Sequence, residues 1–421
     1  MLRILFTILI SFLTSSYLLA QDNSNDEKSN SKLTIEELKE NLDGLTDRVV
    51  TTENDLINLK KIKISGYLQS DWLRFDQKDN VGGKAFYSDS RKNLFTIRRG
   101  RIKFQYKSGP FTGVLQPDIS EGGVTIKDVY GELGILPNDE LKFTFGSFNR
   151  PNYEVELSSS AREATERSQV TRAFYPQERD LGIMFTYQKE LITDFMPKIQ
   201  LGIFNGGGAL TASETDPYKD IIGRLTFGLP LGSESPIQID LGASMYYGGT
   251  LTGDSIISFQ DSLLKKIKNV DVSDNRGFGT RKNFNIEAQV YLDLLPFGGT
   301  ILKGELMSGS RPFPKTGSSN LDSLVLRNQN GFYAYLVQNI TNDFQIAARF
   351  DTFDKNTDLS GSQVKSVNDA KTSILGFGGS WFYENIRFTL WHELPSFDTN
   401  ELGIVDDVKD TKTTFRCQFK F

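Results

Sequence analysis

The chain has 421 residues, with 48 lysines and arginines against 53 aspartates and glutamates, so nothing in its charge calls for a nucleic-acid partner. Its mean hydropathy is −0.34, and beyond the first residues no apolar run is long enough for a membrane-crossing helix. Both observations still admit a transmembrane β-barrel, whose strands are apolar on one face only, and the 31 phenylalanines and 15 tyrosines suit one.

Residues 1–20, MLRILFTILISFLTSSYLLA, read as a signal peptide for export. Arg3 supplies the positive start, Ile4 to Leu13 the apolar stretch, and Ser15 to Ala20 the cleavage region. A polar linker follows over 21–32. The single cysteine, Cys417, excludes an internal disulfide and is expected to pack as a small apolar side chain. Over 33–60, Ile35, Leu38, Leu42, Leu45, Val49, Thr52, Leu56 and Leu59 alternate steps of 3 and 4, the seam of a coiled coil. The stripe is narrow and flanked by Glu, Lys, Asp and Asn, which points to self-association.

From Lys61 onward the period changes to two. Sixteen strands are predicted, near 62–73, 94–107, 111–117, 124–136, 141–148, 179–188, 198–204, 220–227, 237–247, 284–292, 299–307, 331–338, 344–353, 373–383, 386–393 and 412–421. Short turns such as 108–110, 137–140, 296–299, 340–343 and 384–385 alternate with long segments, with 118–123 short where a long one is due. Sorting of loops by parity is expected if every second connection lies on the same rim of an up-and-down barrel. The last strand fits this, with Phe415, Cys417, Phe419 and Phe421 on one face and Arg416, Gln418 and Lys420 on the other. The expected fold is thus all-β, a 16-stranded antiparallel transmembrane β-barrel over 61–421, preceded by a short N-terminal coiled-coil helix.

Two stretches draw attention as sites. In FTIRRGRIKFQY, lipid-facing Ile102, Phe104 and Tyr106 would turn Arg99, Arg101 and Lys103 into the lumen, where a row of cations could pass an anion along. The same row could be ion-paired, since Asp128, Tyr130 and Glu132 are expected to face the same lumen. The second stretch is the connection at about 149–178, the third in order of the long-loop rim and the length of a functional loop. With the strand residue that follows, it sets Arg150, Arg162, Arg167, Arg172 and Arg179 against Glu154, Glu156, Glu163, Glu166 and Glu178. Those arginines either bind anions in bidentate fashion or pair with the glutamates and stiffen the loop. Arg349 and Arg416 fall on the lumen faces of their strands and complete the set of pore-lining cations.

The segments FTIRRGRIKFQY, IKDVYGEL, FGSFNRPNYEVE, ERSQVTRAFYPQERDLGI and GFYAYLVQNITNDFQIAARFDTFDKNTDLSG resemble the phosphate-selective porin O and P family, in the version found in Bacteroidetes-type bacteria. The resemblance spans roughly 62–421. It implies a homotrimer of sixteen-stranded barrels in the bacterial outer membrane, surrounded by lipid and passing small anions by diffusion, with the third loop constricting each pore. It also implies that the outer-membrane assembly machinery reads the C-terminal strand ending at Phe421, and an N-terminal coiled coil in the periplasm fits such a trimer. Arg99, Arg101, Arg150, Arg167, Arg172 and Arg179 match positions where the family places its arginines. The family's lysine cluster has no match, because 149–179 contains no lysine; a modest preference for anions such as phosphate is the expectation.

The alternatives are a saccharide-specific or general non-selective porin, for which Tyr130, Tyr291 and Trp391 would line the lumen, and an outer-membrane enzyme. The only histidine, His392, shares the face of Ile386, Phe388 and Leu390, and no Gly-x-Ser-x-Gly, metal or cofactor motif accompanies it; no enzymatic activity is expected. Within 248–283, LLKKIKN reads as a short helix on a loop that could bind outside partners.

Overall fold

The computed structural model describes residues 35–76, 93–191, 195–208, 217–229, 231, 235–252, 255–260, 263–268, 277–314, 324–364, 369–397 and 410–421. The expected signal peptide and linker lie outside the described residues, as do parts of several long connections.

Two units are distinct. In the first, α1 (Ile35–Lys60) is one helix of 26 residues. The hydroxyls of Thr46, Thr51 and Thr52 each donate to the carbonyl four residues earlier, the usual way a helix accommodates threonine. Its seam side chains Leu42, Leu45, Val49, Leu56 and Leu59 are all exposed.

The second unit spans 61–421 and contains the strands β1 (Ile62–Asp76), β2 (Asn93–Ser108), β3 (Phe111–Ser120), β4 (Gly123–Gly134), β5 (Leu141–Asn149), β6 (Arg179–Gln188), β7 (Lys198–Phe204), β8 (Asp220–Gly228) and β9 (Ile237–Thr252). There follow β10 (Ser255–Gln260), β11 (Leu263–Lys268), β12 (Gly277–Leu292), β13 (Thr300–Pro314), β14 (Leu324–Asn339), β15 (Phe344–Asp354), β16 (Thr372–Tyr383), β17 (Ile386–Phe397) and β18 (Thr411–Lys420). β9 pairs directly with β12, so β10 and β11 form a hairpin outside the ring, and sixteen antiparallel strands close the barrel. The stretch read as a helix at LLKKIKN is therefore strand β11. Paired to β10, it satisfies its backbone across the hairpin.

Closure is made by β18 on β1, from Tyr67 opposite Lys420 to Asp76 opposite Thr411. Phe421 extends it: its N–H donates to the Gly66 carbonyl at 3.0 Å, and its own carbonyl accepts from Gly66 at 2.9 Å. In hydrocarbon each unpaired backbone group costs several kcal/mol, so a closed ring is the arrangement that leaves no edge.

The faces are inverted relative to a water-soluble barrel. Phe284, Ile286, Leu306, Leu336, Phe350, Leu375, Leu390, Phe415 and Phe419 are exposed on the outside, while Asn285, Glu287, Glu305, Arg349, Asp351, Glu393, Arg416 and Gln418 are buried within. His392 lies on the outer face, its ring edge-on to Phe377 and hydrogen-bonded to the Thr413 hydroxyl.

Two features depart from the sequence expectation. β9 and β12 to β14 run several residues further toward the long-loop rim than predicted. Beyond the lipid band nothing requires alternation, so the sequence signal fades while the ladder continues. In β2 the pairing slips: Gln69 lies opposite Arg99 and Ser70 opposite Ile97, leaving Arg98 as an extra residue. This bulge turns Arg98 inward together with Arg99.

Candidate functional site: the loop-filled lumen

The connection between β5 and β6 does not project from the rim. It folds into the barrel with two short helices, α2 (Tyr153–Glu156) and α3 (Gln169–Phe174). Asn152 caps α2 by accepting from the Val155 N–H, and Ser168 caps α3 by accepting from the Thr171 N–H. Val155, Ala164, Val170, Phe174 and Tyr175 pack against inward side chains of the wall, among them Phe148, Ile222, Tyr246, Tyr333 and Trp391. Burial pushes the Tyr175 phenol up to about 12, so it stays a neutral donor and acceptor.

Charged groups moor the loop around nearly the whole wall. Arg150 pairs with fully buried Asp180 and donates to the Gln177 and Gly206 carbonyls. Arg167 closes the loop on itself by donating to the Glu154 and Val155 carbonyls, at 2.8 and 3.0 Å, and pairs with Glu178. Arg349 donates to the Glu166 carbonyl at 2.7 Å and stands 3.1 Å from Asp351 and 3.2 Å from Glu393. Arg416 grips Asp71 in bidentate fashion, at 2.7 and 2.8 Å, and donates to the Thr165 carbonyl at 2.6 Å. Lys303 holds both oxygens of Glu163 at 2.8 Å, and Arg224 bridges Glu156 and Glu287. At the tip, Tyr67 shares a hydrogen bond with Ser159, and Gln69 and Gln418 donate to the Ser159 and Ser160 carbonyls.

Arg98 binds Glu166 through two hydrogen bonds of 2.6 and 2.8 Å. Burial alone would raise the Glu166 carboxyl, but Arg98 and then Arg416 outweigh it and hold the group well below the usual carboxylate range. Strict alternation gave no reason to turn Arg98 inward; only the slipped register does so.

Among the described residues, sizeable open space remains at two places inside the wall, the smaller of about 340 Å³ beside Lys198, Arg224, Asp240 and Glu287. A cavity of about 500 Å³ separates the loop from the wall formed by β1 to β6 and β18, lined by Arg101, Lys103, Asp128, Tyr130, Glu132 and Lys420 among others. Arg179 is paired here with Asp128, at 2.5 and 3.2 Å. Arg101 meets Asp118 at 3.0 Å, lies over the Tyr67 ring, and keeps one Nη without a partner. Among the described residues Lys103 and Arg99 have no acidic partner; Arg99 is buried at mid-strand within electrostatic range of Arg98, Arg101 and Arg162. Arg172 is exposed on the last turn of α3. Arg162 sits behind the loop, away from this cavity.

The three aromatic residues considered for a sugar track do not line one surface. Tyr130 lines the open cavity and is edge-on to Phe148, Tyr291 donates to Gln289, and Trp391 is buried beneath the Arg349 guanidinium.

The barrel is similar to three solved structures: Pseudomonas putida OprB (TM-score 0.56, 9% identity, covering 88% of this chain and 96% of that one), the outer membrane channel DcaP of Acinetobacter baumannii (0.53, 12%, 86% and 97%), and an anion-selective porin from Comamonas acidovorans (0.53, 11%, 86% and 99%). At such identities the likeness is one of fold. No family profile matches the chain, and no curated protein does.

Proposed function

We propose that the chain is an outer-membrane porin through which small hydrophilic solutes diffuse passively, with a modest preference for anions such as phosphate. The observation that carries this reading is a lipid-compatible closed barrel whose polar lumen is narrowed by an inward-folded loop. Solutes cross along the β1 to β6 wall, past Arg101 and Lys103, with Arg99 buried further along the same strand. Arg99 and Lys103 supply the uncompensated positive charge; Arg150, Arg167, Arg179, Arg349 and Arg416 hold the loop in place. The preference is modest because most lumen cations already face a carboxylate.

The same reading assigns 1–20 to export, 21–32 to a linker, and 33–60 to a periplasmic coiled coil that joins three barrels in the outer membrane. Lipid covers the outer face, and the assembly machinery takes up the strand ending at Phe421. The segments that resemble the phosphate-selective porin O and P family favour this reading over a saccharide channel.

The test is the reversal potential of single channels across a salt gradient in a planar bilayer. An anion-selective sign, with phosphate reducing chloride current, supports the proposal. A zero or cation-selective potential without phosphate block overturns the anion preference, and absence of any conductance overturns the porin itself.

A further inference from the structure

Arg162 is a buried loop arginine whose chemistry the mooring does not use. Its side chain is 3% exposed, and neither Nε nor either Nη has a hydrogen-bond partner. The acids nearest in charge are engaged elsewhere: Glu166 by Arg98 and Arg416, and Glu154 by the Ser168 N–H and hydroxyl. A buried guanidinium with all its donors idle is among the most costly arrangements a protein interior can contain.

Arg162 borders a cavity of about 10 Å³ between the loop and β17 and β18. Arg387, Arg416, Thr165 and Thr389 form its other polar walls, and the Thr165 hydroxyl is likewise buried without a partner. Arg416 is already paired with Asp71, so Arg162 and Arg387 carry the surplus positive charge, and the one carboxylate on the lining, Glu163, is held by Lys303. A space of this size takes one water or one monatomic ion and not a tetrahedral oxyanion. A neutral water would accept one or two N–H groups and leave the charge uncompensated.

We propose that Arg162, Thr165 and Arg387 enclose a single halide ion, chloride in the native protein, which locks the constriction loop to the β17–β18 wall. The ion accepts from the Arg162 N–H groups and the Thr165 hydroxyl and offsets the surplus positive charge. It is a structural ion outside the diffusion path, and the proposal does not depend on whether the barrel conducts.

The test is a crystal of the full chain grown with bromide in place of chloride. An anomalous peak within hydrogen-bond distance of Arg162 and Thr165 is expected, and a featureless or water-like density there overturns the proposal. In parallel, the thermal unfolding midpoint of the detergent-solubilised protein is measured with chloride replaced by gluconate at equal ionic strength. The midpoint should fall on replacement, and an unchanged midpoint counts against the site. Arg162→Gln should abolish the difference between the two salts; if that variant fails to fold, Thr165→Val, which removes one donor, should reduce it and the bromide peak.

Discussion

At the scale of single residues, the lumen is decided by which cations retain a carboxylate and which do not. In water, a unit charge about 8 Å from a passing ion is worth roughly 0.5 kcal/mol, a factor of about 2 in local concentration. Arg99→Ala and Lys103→Ala should therefore each lower the anion-to-cation permeability ratio by up to the square of that factor, roughly 4-fold, read from reversal potentials. Arg150→Ala, by contrast, should act on folding, because removing one member of a buried pair costs about 3–5 kcal/mol. Glu166 makes a prediction in pH. Its folded carboxyl is depressed, so its contribution is complete above the ordinary carboxylate range and is lost only as pH falls through the folded value, well below that range. Conductance should stay constant from neutral pH to about 5, whereas Glu166→Gln should release the loop tip and give noisy, enlarged conductance already at neutral pH. A variant with wild-type conductance would show that Arg98 and Arg416 position the loop without it.

At the scale of elements, the strands were legible where lipid enforces alternation, as in Phe284, Ile286, Ala288 and Val290 of β12, and illegible where it does not, as at the long-loop ends of β9 and β12 to β14. The bulge at Arg98 escaped notice because a slipped register has no signature in a run of arginines and glycine. The partner of the strand arginine Arg416 was unreadable for another reason: Arg416 and Asp71 lie 345 positions apart, and only closure of the sheet brings them together. That closure has a weak point. A Cβ on Gly66 would overlap the Arg101 carbonyl and the Phe421 ring, so Gly66→Ala should destabilise the seam by about 1–3 kcal/mol, seen as a lower unfolding temperature. An unchanged temperature would mean that the Phe421 ring moves aside without loss.

At the scale of the whole molecule, the heptad stripe and the barrel were both visible in the sequence because each obeys a single period over many residues. The proposed trimer would draw on both. The exposed seam of α1 places Leu45 and Leu56 where a parallel partner would cover them. Leu45→Asp with Leu56→Asp, in the full chain, should lower the temperature at which trimers dissociate while leaving the barrel's circular dichroism intact. Equal dissociation temperatures would assign assembly to the barrel walls alone.

The mooring of the loop also bears on the order of construction. Ser160 accepts from Gln418 across 258 positions, and the Thr165 carbonyl accepts from Arg416 across 251. Those donors belong to the final strand, so a chain that lays down its staves in sequence makes these two contacts last, after Arg224, Lys303 and Arg349 of earlier strands have engaged the loop. The final stave then completes a narrowing that the earlier staves have begun.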